Sequence, residues 1–144
     1  MAETVLGIKE LLRKFDQLKT AGKEKVLRAS VRGAANVVAK EAKQRIPVGS
    51  IAHRTYRKNL VSPGFARRSI KVQTYVNRRT GAVGAVVGVR AQAFYAVQFV
   101  ELERGKSKQR GRPWLRPAFD ATTEKQISEF NRAFLRVINK VARI

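Results

Sequence analysis

The stretch that decides the fold is FYAVQFVELERGKSKQRGRPWLRPAF, residues 94–119. It opens with a short apolar run in which Tyr95, Val97 and Phe99 share one side of an extended chain. Phe94, Ala96, Gln98 and Val100 share the other. The run ends on Glu101 and Glu103, two of only ten acids in the chain. Gly105 to Gly111 then form a flexible cationic connector, and Pro113, Trp114, Leu115 and Pro117 stiffen the backbone beyond it. Asp120 is placed to cap a last helix. The stretch therefore reads as the final strand of a sheet, a loop, and the dock that seats a C-terminal helix on that sheet.

Working backwards, Val83, Ala85, Val87 and Val89 alternate as a strand whose other side carries Gly84, Val86 and Gly88. Those glycines suggest a bulge or the close approach of another backbone. Ahead of it, Ser69 to Asn77 alternates, with Ile70, Val72, Thr74 and Val76 on one face and Lys71, Gln73 and Tyr75 on the other. Arg78-Arg79-Thr80-Gly81 joins the two strands, with a glycine available for positive φ. Short connections favour a three-stranded antiparallel meander.

Two helices precede the sheet. Residues 4–19 carry Val5, Ile8, Leu12 and Phe15 at helical spacing, with Leu11 and Leu18 alongside. A break is expected at Thr20-Ala21-Gly22. A second helix, from about Lys23 to Arg45, presents Leu27, Val31, Ala34, Ala35, Val38, Ala42 and Ile46, and its other side holds Lys25, Arg28, Arg32, Lys40 and Lys43. Pro47 and Gly49 end it. The last helix should run from about Ala121 to Val141 on Ile127, Phe130, Phe134, Val137, Ile138 and Val141, with Leu135 and Ile144 widening the stripe. The expected fold is α+β: two N-terminal helices, a three-stranded antiparallel meander and a long C-terminal helix packed on it. A single domain over 1–144 suits the length.

Residues 48–68 have no clean period and read as a basic loop insertion. Here the charge becomes informative. The chain holds 31 Lys and Arg against 10 Asp and Glu, a formal net charge of +21, which calls for an anionic partner. Residues 47–92 carry nine bases and no acid, and residues 21–46 carry seven bases against two acids. The candidate interaction or DNA-facing groups are Arg54, Arg57, Lys58, Arg67 and Arg68 in the insertion and Arg78 and Arg79 at the hairpin turn. Arg104, Lys106, Lys108, Arg110 and Arg112 form a third cluster in the connector. Nothing resembles a helix-turn-helix, a zinc finger or an RNA-stacking motif, so any DNA contact would be non-specific.

Chemistry is sparse. There is no cysteine and one histidine, so no thiolate metal site exists, and no cofactor or metal is expected. No glycine-rich phosphate loop precedes a helix. His53 reads as an ordinary exposed histidine. Glu101 and Glu103 point the same way on a strand with no nucleophile near, which suits salt bridges to the basic loop or a neighbouring protomer. Tyr56 reads as a loop anchor, and Trp114 as a side chain packed under the last helix. No catalytic group is expected. No run of about 18 apolar residues is present, so no membrane span is expected. The first residues lack the basic and apolar regions of a signal peptide.

Several of these residues, in this order, resemble the tail-completion (neck, head–tail joining) proteins of tailed double-stranded DNA phages. The likeness rests on Pro47-Val48-Gly49, on Arg67-Arg68-Ser69-Ile70, and on Tyr95-Ala96 with Phe99-Val100-Glu101. It is completed by Pro113-Trp114-Leu115-Arg116-Pro117-Ala118-Phe119. Trp114 stands where the family pattern has Phe, and Leu102-Glu103-Arg104-Gly105 replaces a Phe-Gly-Thr-like strand end. The resemblance implies a virion protein made in the host cytoplasm: a homo-oligomeric ring, six copies, joining the tail to the head-side connector around the DNA channel. Its partners would be other neck and tail proteins, with non-specific contact to genomic DNA. The rival class, with the same charge and size, is a non-specific nucleic-acid-binding protein of ribosomal or nucleoid type.

Overall fold

In a computed structural model, the structure describes residues 2–48, 52–54, 58, 60–90 and 113–141. The elements are α1 (Ala2–Asp16), α2 (Thr20–Arg45), β1 (His53–Arg54), β2 (Leu60–Val61) and α3 (Phe65–Arg68). They continue with β3 (Ile70–Val76), β4 (Val83–Val89), α4 (Leu115–Ala121) and α5 (Thr123–Val141). They form two compact units. One comprises Met1–Ala35, Gln73–Val86 and Glu124–Ile144, and the other Asn36–Val72 and Val87–Thr123. The helix α2 and the strands β3 and β4 contribute to both.

The second unit has a closed core. Trp114, 3% exposed, packs with Ala39, Ala42 and Ile46 of α2, Ile70 of β3 and Ala118 of α4, and Phe65, Ala66, Val72, Val87, Val89 and Leu115 pack around it. The small side chains of α2 leave room for the indole, whose burial drives this core. In the first unit the contact is aromatic. The Phe15 and Phe134 ring centroids lie 5.7 Å apart, and Phe130 stacks on Phe134 at 6.3 Å. Here Gly33 brings α2 close to α5: a Cβ at that position would stand 3.1 Å from the Glu129 carbonyl oxygen and 3.3 Å from the Ala133 Cβ.

The expected apolar stripe on α2 is buried at Ala35, Val38, Ala42 and Ile46, and the fold buries a second face of the helix as well. Val26 and Ser30 are buried in the first unit, whereas Val38, Ala39, Ala42 and Ile46 are buried in the second. At 100° per residue these two sets lie roughly 150° apart around the helix. Leu27, Val31 and Ala34, counted in the stripe, are only half-buried. Ser30 is accommodated because its hydroxyl donates to the Val26 carbonyl at 2.8 Å, which satisfies the buried oxygen locally.

The alternation of β3 is borne out: Ile70, Val72, Thr74 and Val76 are buried or half-buried, and Lys71, Gln73 and Tyr75 are exposed. β3 pairs with β4. The Arg90 amide donates to the Ser69 carbonyl at one end, and the Asn77 amide to the Ala82 carbonyl at the other. Both bonds imply one antiparallel register, which sets Tyr75 opposite Gly84. The glycine there admits a ring, not a backbone, because a Cβ on Gly84 would come within 2.5 Å of the Tyr75 ring and hydroxyl. Gly88 has nothing within 4 Å of such a Cβ, so no close approach explains it. Among the described residues this sheet has two strands, and the expected third strand falls outside them.

Three details differ from expectation. The break between the first helices lies at Gln17–Lys19, and Thr20-Ala21-Gly22 belongs to the first turn of α2. Gly22 there meets Leu18 Cβ and Val141 Cγ1, each 3.4 Å from a built Cβ, so it serves packing and does not break the helix. Asp120 is no N-cap, for it lies inside α4. That helix starts directly after Trp114, with Pro117 at its third residue, where a missing N–H costs nothing. The long C-terminal helix expected over 121–141 is α5, Thr123–Val141. The short helix α4 that precedes it was not expected; it ends at Thr122, whose φ is −115° and ψ 13°. The Thr122 hydroxyl donates to the Ala118 carbonyl at 2.7 Å and closes α4 there.

Candidate interaction surfaces

The insertion is more ordered than a plain loop. β1 and β2 pair antiparallel, His53 with Val61 and Arg54 with Leu60, and Val61 is buried. Lys58, in the turn between them, takes the left-handed conformation at φ 61°. Past Gly64, at φ 79°, α3 carries Arg67 and Arg68 into solvent. Arg68 is turned back on its own turn: Nη1 donates to the Pro63 carbonyl at 3.0 Å and Nη2 to Ser62 Oγ at 2.6 Å. Its guanidinium thus holds the turn, while Arg54, Lys58 and Arg67 are exposed. Arg57, Tyr56, the 104–112 cluster and the Tyr95, Phe99 and Glu101 positions lie outside the described residues, as does the His53 side chain.

The hairpin tip is set by Asn77. Its Oδ1 accepts from the Arg79 amide at 3.0 Å and the Thr80 amide at 3.3 Å, and its carbonyl accepts from the Gly81 amide at 2.7 Å. Gly81 supplies the expected positive φ, 74°. The result is a four-residue connection that holds Arg78 and Arg79 out in solvent.

Of the 113–119 segment, Trp114 is buried as expected, Leu115 and Pro117 are half-buried, and Phe119 is 54% exposed.

Sequence reasoning missed the apolar part of the surface. Ile8 and Leu12 of α1, and Ile127 and Leu135 of α5, were assigned to core-facing stripes, yet all four are exposed, Ile127 by 58%. Tyr75 and Val86 are exposed on the open face of the hairpin. The signal was the width of the stripes, which hold more large residues than one helix–helix contact can cover. Carboxylate–cation pairs run along the helices, as in Lys14–Glu10 at 3.2 Å and Arg132–Glu129 at 3.2 Å. No cluster of His, Asp or Glu there could hold a metal ion, and no described helix is long and apolar enough to cross a membrane.

With this geometry in place, comparison with known proteins adds one finding. A family model described as "Bacteriophage HK97-gp10, putative tail-component" matches residues 9–102, well over half of the 144. The chain belongs to the HK97-gp10-like family. The matched span contains Pro47, Arg67 to Ile70 and Tyr95 to Glu101, and it stops before the Pro113–Phe119 segment. HK97-gp10-like proteins are bacteriophage tail components by that description, which makes this chain a phage tail protein and other tail proteins its partners. No curated protein and no solved structure matches it.

Proposed function

We propose that this tail component is a tail-completion or neck subunit. It forms a ring with copies of itself and joins the tail to the head-side connector around the DNA channel. The observation that carries the reading is membership of the HK97-gp10-like family over residues 9–102. The exposed Ile8, Leu12 and Ile127 support it, because a neighbouring subunit would cover such side chains. The subunit works by surface complementarity and not by chemistry. Its exposed basic groups, Arg54, Lys58 and Arg67 in the insertion and Arg78 and Arg79 at the hairpin tip, with Arg57 as a further base of the insertion sequence, meet the polyanion or acidic rims beside it. Electron microscopy of lysates from a phage lacking this chain tests the placement. Filled heads and complete tails should accumulate unjoined, whereas joined virions, or tails that never form, would sink it. In the same assay the combined change Arg54→Glu, Arg57→Glu and Lys58→Glu should leave a folded protein and block joining.

A further inference from the structure

One charged surface is independent of those loops and lies on a single helix. In α2, Lys25, Arg32, Asn36, Lys40 and Lys43 are all exposed. At 100° per residue they fall in one band, with Lys25 and Lys43 about five turns apart at the same azimuth. The two buried faces of α2 leave this band uncovered in both halves of the helix. It extends about 27 Å at 1.5 Å per residue.

The helix keeps carboxylates away from the band. Its two acids are already paired with other bases: Glu24 with Arg28 at 2.9 Å and Glu41 with Arg45 at 2.8 Å. Among the described residues, Lys25, Arg32, Lys40 and Lys43 take part in no ion pair. Arg32 is steadied by a long hydrogen bond from Nη2 to Thr74 Oγ1 on β3, 3.4 Å, a neutral neighbour that leaves its charge uncancelled.

We propose that this face of α2 is a sequence-independent binding surface for the phosphate backbone of duplex DNA. A duplex offers one negative charge per about 1.7 Å along its axis, so a straight 27 Å row of cations meets phosphates at whatever register it lands. Three of the four cations are lysines, which act as point charges and lack the planar fork suited to reading guanine. Asn36, at the middle of the row, adds an uncharged donor for a phosphate oxygen. A single acidic patch on a protein partner fits less well. The excess of bases over acids is present in every part of the chain, and only a continuous polyanion neutralises charge spread in that way. The proposal holds whether or not the chain forms a ring, because it concerns one face of one helix.

The test is the binding of purified full-length protein to a labelled random-sequence duplex across a salt series. The stripe variant is Lys25→Gln with Lys40→Gln and Lys43→Gln. The control removes the same charge from exposed lysines elsewhere, as Lys9→Gln with Lys125→Gln and Lys140→Gln. For the stripe variant the slope of log affinity against log salt should fall by about three, near 0.9 per lost phosphate contact. The control should keep the wild-type slope, and arginine at the three stripe positions should restore it. Equal losses in stripe and control variants would show diffuse charge with no defined face and overturn the proposal. So would an unchanged stripe variant, or a stripe variant that loses only its binding to polyglutamate, which would mark an acidic protein as the occupant. All these lysines are exposed, so circular dichroism and melting should be unchanged in every variant. Head–tail joining is a separate readout, and its failure would not bear on this result.

Discussion

The core around Trp114 and the aromatic contact of α1 with α5 are both built on large apolar side chains and finish differently. Around Trp114, small residues from α2 and α4 close over one large ring, and six side chains are 8% exposed or less. In the other region Phe15, Phe130 and Phe134 are all half-buried, and Ile8, Leu12 and Ile127 of the same helices remain more than half exposed. The first region satisfies itself. The second carries more apolar surface than its own fold covers, as expected of a protein whose working form is an assembly.

The sharpest way to break this contrast is at its closed side. Trp114→Ala should cost about 3–5 kcal/mol, the range for truncating a large buried aromatic, measured by urea denaturation, and should unfold a marginal protein outright. A loss under about 1 kcal/mol would mean that the ring is not the centre of its core. Next in size, Gly33→Leu should cost about 1–3 kcal/mol by overpacking. The obstacle at 3.1 Å is the Glu129 carbonyl oxygen, a backbone atom that cannot swing aside. The smallest effect belongs to the open side. Ile8→Ser with Leu12→Ser should change the stability of the isolated subunit by about 1 kcal/mol or less, as exposed substitutions do. Sedimentation should nevertheless show lost self-association. If that pair cost as much as Trp114→Ala, those residues would be core in solution and the contrast would collapse.

Legibility followed how local the cause was. The alternation of β3, the Gly81 turn and the end of α2 before Pro47 were readable because each depends on a few adjacent residues. The short helix α4 ahead of the C-terminal helix was not. It ends at Thr122, whose hydroxyl bonds back to Ala118 as that of Ser30 bonds back to Val26 inside α2, so the residue type by itself does not mark the stop. The basic groups of the insertion and hairpin were readable as exposed charge, but the turning of Arg68 onto Ser62 and Pro63 needed the geometry of a folded turn. The exposure of Ile8, Leu12, Ile127 and Leu135 was not readable either, because a periodic stripe shows that a face is apolar without showing how much of it a partner covers.

By itself the sequence determined the class and order of the elements, the cationic excess with its acid-free stretch over 47–92, and the phage-tail kinship, since period, charge and motif order are properties of the chain alone. Tertiary structure decided that α2 buries a second face beside its apolar stripe. Helical period places residues on faces, and only the neighbours that arrive in three dimensions choose between those faces. Ala35, Val38, Ala42 and Ile46 are buried on the face their period marks, with the basic side left in the open, whereas Val26 and Ser30 are buried on a face that no stripe announced.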